Sequence, residues 1–151
     1  MPVIARSALV PFAAEQLFAL VDDVERYPEF LPWCASVDVQ SYCDSAVAAT
    51  LHVRRAGIRH QLTTRNLRFP PERMVLELVD GPFEHFHGEW RFEPLAPAAC
   101  KVTLSLDFEY AGRVVRVAFA PLFNRAADTM VDAFCARAQA IYGVTAGERH
   151  G

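Results

Sequence analysis

Five histidines, four cysteines and a run of arginines are the residues of this chain that could carry polar chemistry. His85 and His87 lie two apart, followed by Glu89 two further on. On a strand, alternate residues share a face, so these three would form a ligand row for a metal. No second cluster accompanies them, and an exposed strand face accounts for the spacing equally well; no metal is expected. Cys34, Cys43, Cys100 and Cys135 show neither paired spacing nor a zinc pattern, and read as reduced thiols. No serine sits in the glycine frame of a nucleophile elbow. The adjacent Asp22 and Asp23 read as a helix end, not an acid/base pair. His60, Arg59 and Asp107 are the polar groups left as candidates for a pocket. Nothing in this inventory specifies a reaction, so the chain is expected to bind and not to catalyse, and to need no cofactor.

The arginines are unevenly placed. Residues 54–73 hold six of them (Arg54, Arg55, Arg59, Arg65, Arg68, Arg73) against Glu72 alone. Residues 77–109 reverse the balance, with Glu77, Asp80, Glu84, Glu89, Glu93, Asp107 and Glu109 against Arg91 and Lys101. Either the two runs are wet sheet faces of opposite sign, or Arg54, Arg55, Arg59, Arg65 and Arg68 form a basic patch for phosphate, RNA or anionic lipid. A net charge of −3 argues against a dedicated DNA-binding protein.

The elements that would position these residues follow from periodicity. Residues 3–10 read as a strand ended by Pro11, and a short helix opens at Ala13-Ala14-Glu15-Gln16. Residues 24–34 pack Tyr27, Phe30 and Trp33 around Pro28 and Pro32, which permits a helical turn but no long helix. Such a turn would set Phe30, Leu31 and Trp33 on one apolar edge, as a plug for the sheet or as the rim of a pocket. Alternating strands follow, the clearest at residues 100–110. There Val102, Leu104, Leu106, Phe108 and Tyr110 face one way, and Lys101, Thr103, Ser105, Asp107 and Glu109 the other. Short turns between consecutive strands imply an antiparallel sheet of about six or seven strands.

The last long stretch, residues 113–142, reads as one helix. Phe119, Phe123, Ala126, Met130, Phe134 and Ile141 recur at helical spacing, flanked by Leu122, Ala127, Ala133 and Ala138. Pro121 predicts a kink or a restart in its early part. No other element is long enough to cover a sheet of that size, so the class is α+β, with the helix either sealing the sheet as plain core or roofing a cavity. A cavity would be lined by Phe119, Phe123, Met130, Trp90, Phe108 and Trp33, and would suit an apolar ligand, whose burial yields about 25 cal/mol per Å². One domain over residues 1–143 with a loose tail at 144–151 is the simplest division. The chain shows no apolar run of about 18 residues and no secretory leader, so a cytoplasmic protein is expected.

Residues 21–34, running Val-Asp-Asp-Val-Glu-Arg-Tyr-Pro-Glu-Phe-Leu-Pro-Trp-Cys, resemble the opening signature of the coenzyme Q-binding START-domain family, a polyketide cyclase-like group. Asp80-Gly81-Pro82-Phe83, Gly88-Glu89-Trp90-Arg91-Phe92, Leu106-Asp107-Phe108-Glu109-Tyr110 and Met130-Val131-Asp132-Ala133-Phe134 follow in the family's order. Ser7-Ala8-Leu9-Val10-Pro11-Phe12, Ala56-Gly57-Ile58 and Thr63-Thr64-Arg65-Asn66 are similar to its bacterial branch, the ribosome association toxins. The resemblance implies a helix-grip fold, a curved antiparallel sheet around a long C-terminal helix with a hydrophobic cavity between. It implies ubiquinone or a related lipid as ligand, in support of respiration, with Phe30, Leu31, Trp33, Trp90, Phe108, Phe119, Phe123 and Met130 as the cavity set. The branch implies a different role: binding the large ribosomal subunit, blocking subunit association, and pairing with a small ubiquitin-like antitoxin. A lipid ligand would add transient contact with the inner membrane. The family's cyclase names imply a third role, an enzyme with a polar cavity and a positioned acid or base.

Overall fold

The computed structural model describes residues 3–55 and 58–143. The side chain of Arg55 and the expected tail at 144–151 lie outside that description. Seven strands form one antiparallel sheet: β1 (Val3–Val10), β2 (Cys34–Tyr42), β3 (Ala46–Arg55), β4 (Ile58–Phe69), β5 (Arg73–Asp80), β6 (Phe83–Ala96) and β7 (Ala99–Tyr110). Their spatial order is β1-β7-β6-β5-β4-β3-β2. Strands β2 to β7 thus form a meander, as short turns require, and β1 returns to pair with β7, Val3 opposite Asp107 and Val10 opposite Cys100. The chain crosses from the β1 edge to the β2 edge through helix α1 (Ala14–Asp22) and a 3₁₀ turn at Val24–Glu29 that contains Pro28. The long helix α2 (Arg113–Ala138) closes the fold, extended by a π-wound turn at Gln139–Gly143. This is the helix-grip arrangement.

Strand β7 shows why the sheet has a dry side. Cys100, Val102, Leu104, Leu106, Phe108 and Tyr110 are buried, and the residues between them are exposed or half-buried. On β6, an irregular register between Phe83 and His85 puts both Phe83 and Phe86 on the dry side, three residues apart. Helix α2 lies on that side, and its buried stripe is Phe119, Leu122, Phe123, Ala126, Ala127, Val131, Phe134 and Ala138.

Three details of α2 depart from expectation. The helix does not restart at Pro121 but runs through it as one element. The proline removes a bond to the carbonyl of Val117, and Val117 is on the wet side, 72% exposed, where water can take that carbonyl. Ile141, expected on the buried stripe, is 41% exposed, because the π-wound final turn shifts the phase of the stripe. Val131, not expected there, is buried. The first turns of α2 also overhang the sheet, leaving Val114 82% exposed.

Aromatic side chains and ion pairs fix the helix in place. Phe134 meets Tyr27, Phe30 and Trp90 edge to face, with centroids 5.3, 5.1 and 5.2 Å away. Arg137 donates to Glu29 Oε1 at 2.6 Å and lies over the Phe30 ring. Tyr110 donates to Asn124 Oδ1 at 2.8 Å. Helix α2 rests closest on β1, β7 and α1, and stands off from β3, β4 and β5. That asymmetry makes the site.

Candidate functional site

The space between α2 and strands β3–β5 is a cavity in which the centre of a water molecule can move through about 80 Å³. One wall is α2, through Phe119, Leu122, Phe123, Ala126, Ala127, Met130 and Phe134. The opposite wall is Leu51 and Val53 of β3, Leu62, Thr64 and Asn66 of β4, and Leu76 of β5. Phe86, Trp90, Leu104 and Leu106 form the floor, and Val24, Tyr27 and Trp33 close one side. At the other side His60, whose ring lies 4.6 Å from Phe119 edge to face, stands beside Arg59 and Arg54.

Alternation along β4 explains its double character. Arg59, Gln61 and Arg65 point out, and Leu62, Thr64 and Asn66 point in. The outward arginines dominate the sequence pattern and mask the inward residues of the same strand. The signal that could have found them is a polar pair, Thr64 and Asn66, at positions whose neighbours in register are apolar.

Of the residues expected around a cavity, Trp33, Trp90, Phe119, Phe123 and Met130 line this one. Phe30, Leu31 and Phe108 lie elsewhere. Phe30 is held between Tyr27 and Phe134. Leu31 is 1% exposed within the core. Phe108 packs against Phe83, Tyr110 and Phe123 and is not part of the lining.

Of the expected basic patch, Arg54 and Arg59 face each other across β3 and β4, and Arg65 is exposed on the same outer face. Arg68 does not share that face. It donates twice to Asp22, at 2.7 and 2.8 Å, and once to the Asp44 carbonyl, with its guanidinium between the Phe18 and Tyr42 rings. The acidic half of the outer face lies over β5 and β6, where Glu89 of β6 takes ion pairs from Arg73 of β5 and Arg91 of β6.

Burial holds the inward phenols Tyr27 and Tyr110 and the thiols Cys34 and Cys100 protonated. Burial, then the negative charge of Asp22, pushes the Tyr27 hydroxyl far above its ordinary value, and that hydroxyl already donates to the Val21 carbonyl. Burial raises Cys34 and Cys100 to about 11 and Tyr110 to about 12. None supplies a thiolate or phenolate base at neutral pH. His85 and His87 point outward around Asp107, with His85 Nε2 3.5 Å from Asp107 Oδ2. Among the described residues, no group of three His, Cys, Asp or Glu side chains could hold a metal, and no helix is long and apolar enough to cross a membrane.

The model of the family described as polyketide cyclase/dehydrase and lipid transport matches residues 10–135. The chain belongs to that family. Within it, the chain is 49% identical to the ribosome association toxin of Pseudomonas aeruginosa, over 93% of this chain and 97% of that protein. A more distant relative is the mitochondrial coenzyme Q-binding protein COQ10 homolog B of Xenopus laevis, 27% identical over 92% of this chain and 59% of that one. Among solved structures, the ZhuI aromatase/cyclase of Streptomyces sp. R1128 superposes with a TM-score of 0.81 at 19% identity, covering 91% of this chain and 93% of that one. At that identity the likeness speaks for the fold alone.

Proposed function

We propose that this protein is a ribosome-binding regulator that attaches to the large subunit and keeps the two subunits apart. The observation that carries the reading is the 49% identity to a ribosome association toxin across nearly the whole of both chains. The outer face of β3 and β4 gives it a physical surface. Arg54, Arg59 and Arg65 stand there without an acidic partner among the described ion pairs, so they are free to meet ribosomal phosphate. The protein acts by occupancy and not by catalysis.

Sedimentation with isolated large subunits tests this. The protein should pellet with them at low salt and dissociate steeply as salt rises, since each phosphate neutralised releases counterions. Replacing Arg54, Arg59 and Arg65 by glutamine should lower the salt slope by roughly 1 for each phosphate no longer neutralised. Absence from the pellet at both low and moderate salt would refute the reading. Arg68→Gln is unsuitable for this series, because it breaks the Asp22 pair.

The cavity favours a second reading, a carrier or sensor of an apolar small molecule such as a quinone. What supports it is a void lined mostly by aromatic and aliphatic side chains, together with the name of the more distant coenzyme Q-binding relative. The two readings use opposite faces of β4, and one protein can hold both.

A further inference from the structure

Thr64 and Asn66 stand out inside an otherwise apolar chamber. They are two apart on β4, so they share the inward face, and each is 5% exposed. The Thr64 hydroxyl donates to Asn66 Oδ1 at 2.9 Å. An asparagine amide carries two N–H donors besides its carbonyl oxygen. No hydrogen bond of the Asn66 amide nitrogen occurs among the described residues, and the side chain borders the void. Its neighbours in that wall are Leu62 and Leu76.

An amide nitrogen that faces an apolar void without a protein partner is disfavoured, where a leucine would carry no such cost. A partner for that donor would have to enter the void. Water is a poor one, because it needs acceptors for its own hydrogens as well as donors: the Tyr27 and Thr64 hydroxyls that also line the void already donate to the Val21 carbonyl and to Asn66, and Trp33 and Trp90 offer only indole N–H donors. A carboxylate is also poor, because no cation among the described residues lines the wall to offset its burial. A neutral carbonyl oxygen needs only the donor. Phe86, Trp90, Phe119 and Phe123 around the void offer ring edges and faces to a flat body.

We propose that Asn66, oriented by Thr64, is the polar anchor of the cavity and recognises one carbonyl oxygen of a neutral ligand whose remainder is flat and apolar, a ketone or quinone in class. This rests on the second reading above, that the cavity is a binding site.

The test uses the naphthyl ketone 6-propionyl-2-(dimethylamino)naphthalene, whose emission moves to the red when its carbonyl accepts a hydrogen bond. The full-length protein should bind it with emission well to the red of that in dry hydrocarbon. Asn66→Leu should weaken binding about two- to tenfold, the worth of one such bond, and shift the bound emission to the blue. Asn66→Val, smaller and compatible with a strand, should do the same and serves if the leucine variant fails to fold. Binding with unchanged affinity and colour in a folded variant overturns the anchor and leaves the cavity reading standing. No binding by the unsubstituted protein overturns the cavity reading itself.

Discussion

Replacing Phe134 by alanine should destabilise the protein by about 3–5 kcal/mol. The side chain is fully buried. It touches Tyr27 and Phe30 of the crossover segment and Trp90 of β6, so through it α2 holds both the 3₁₀ turn and the sheet. Its removal leaves a hole that three rings fixed by other neighbours cannot collapse into. Tyr27 is pinned by its bond to Val21, Phe30 is capped by Arg137, and Trp90 stacks on Phe92. Urea unfolding of the variant, compared with Ile141→Ala as a control at the exposed end of the same helix, checks this. The control should change stability by less than about 0.5 kcal/mol. Equal effects at the two positions would mean that α2 is not anchored where the structure places it.

Arg68→Met should cost about 2–3 kcal/mol, less than breaking a deeply buried pair because Arg68 and Asp22 keep 13% and 17% side-chain exposure. The geometry is bidentate, and the Phe18 and Tyr42 rings shelter it. The pair joins the end of α1 to β4, two elements 46 residues apart in sequence. Removing the arginine leaves the Asp22 carboxylate part-buried without its cation. Asp22→Asn in the Arg68→Met background should then cost much less than it does alone, and a double-mutant cycle in denaturant reads that coupling directly. Additive effects would show that the pair is no more than a surface interaction. Arg65→Met, on the outer face of the same strand, should be nearly silent in stability.

The fold was legible in this sequence because its strands alternate strictly and its long helix has no rival. Residues 100–110 announce one dry face and one wet face, and the structure keeps them so. The antiparallel order follows from short turns. What periodicity cannot show is where a helix stands off from a sheet. Phe108 and Phe123 carry the same apolar signal, yet Phe108 is plain core and Phe123 borders the void, because α2 leans on β1 and β7 and away from β3–β5. Phe30 and Leu31 share a motif with Trp33 and so point to the cavity in sequence, whereas of these three only Trp33 lines it, beside Val24 and Tyr27 of the 3₁₀ turn. The arginine run was legible as charge but not as geometry. Parity along β4 puts Arg59 and Arg65 outside and sends Arg68 to the inward side, where it meets Asp22. The same parity conceals Thr64 and Asn66, whose polarity reads as ordinary strand surface until the register shows them facing inward.

The central claim, that the protein keeps ribosomal subunits apart, is tested most directly by light scattering during subunit joining. Purified small and large subunits are mixed at a magnesium concentration that favours joining, with and without stoichiometric protein added first to the large subunit. The account predicts a smaller and slower rise in scattering, partly restored by the Arg54, Arg59 and Arg65 glutamine variant and unaffected by Asn66→Leu. A full, undiminished rise in the presence of excess folded protein would contradict it.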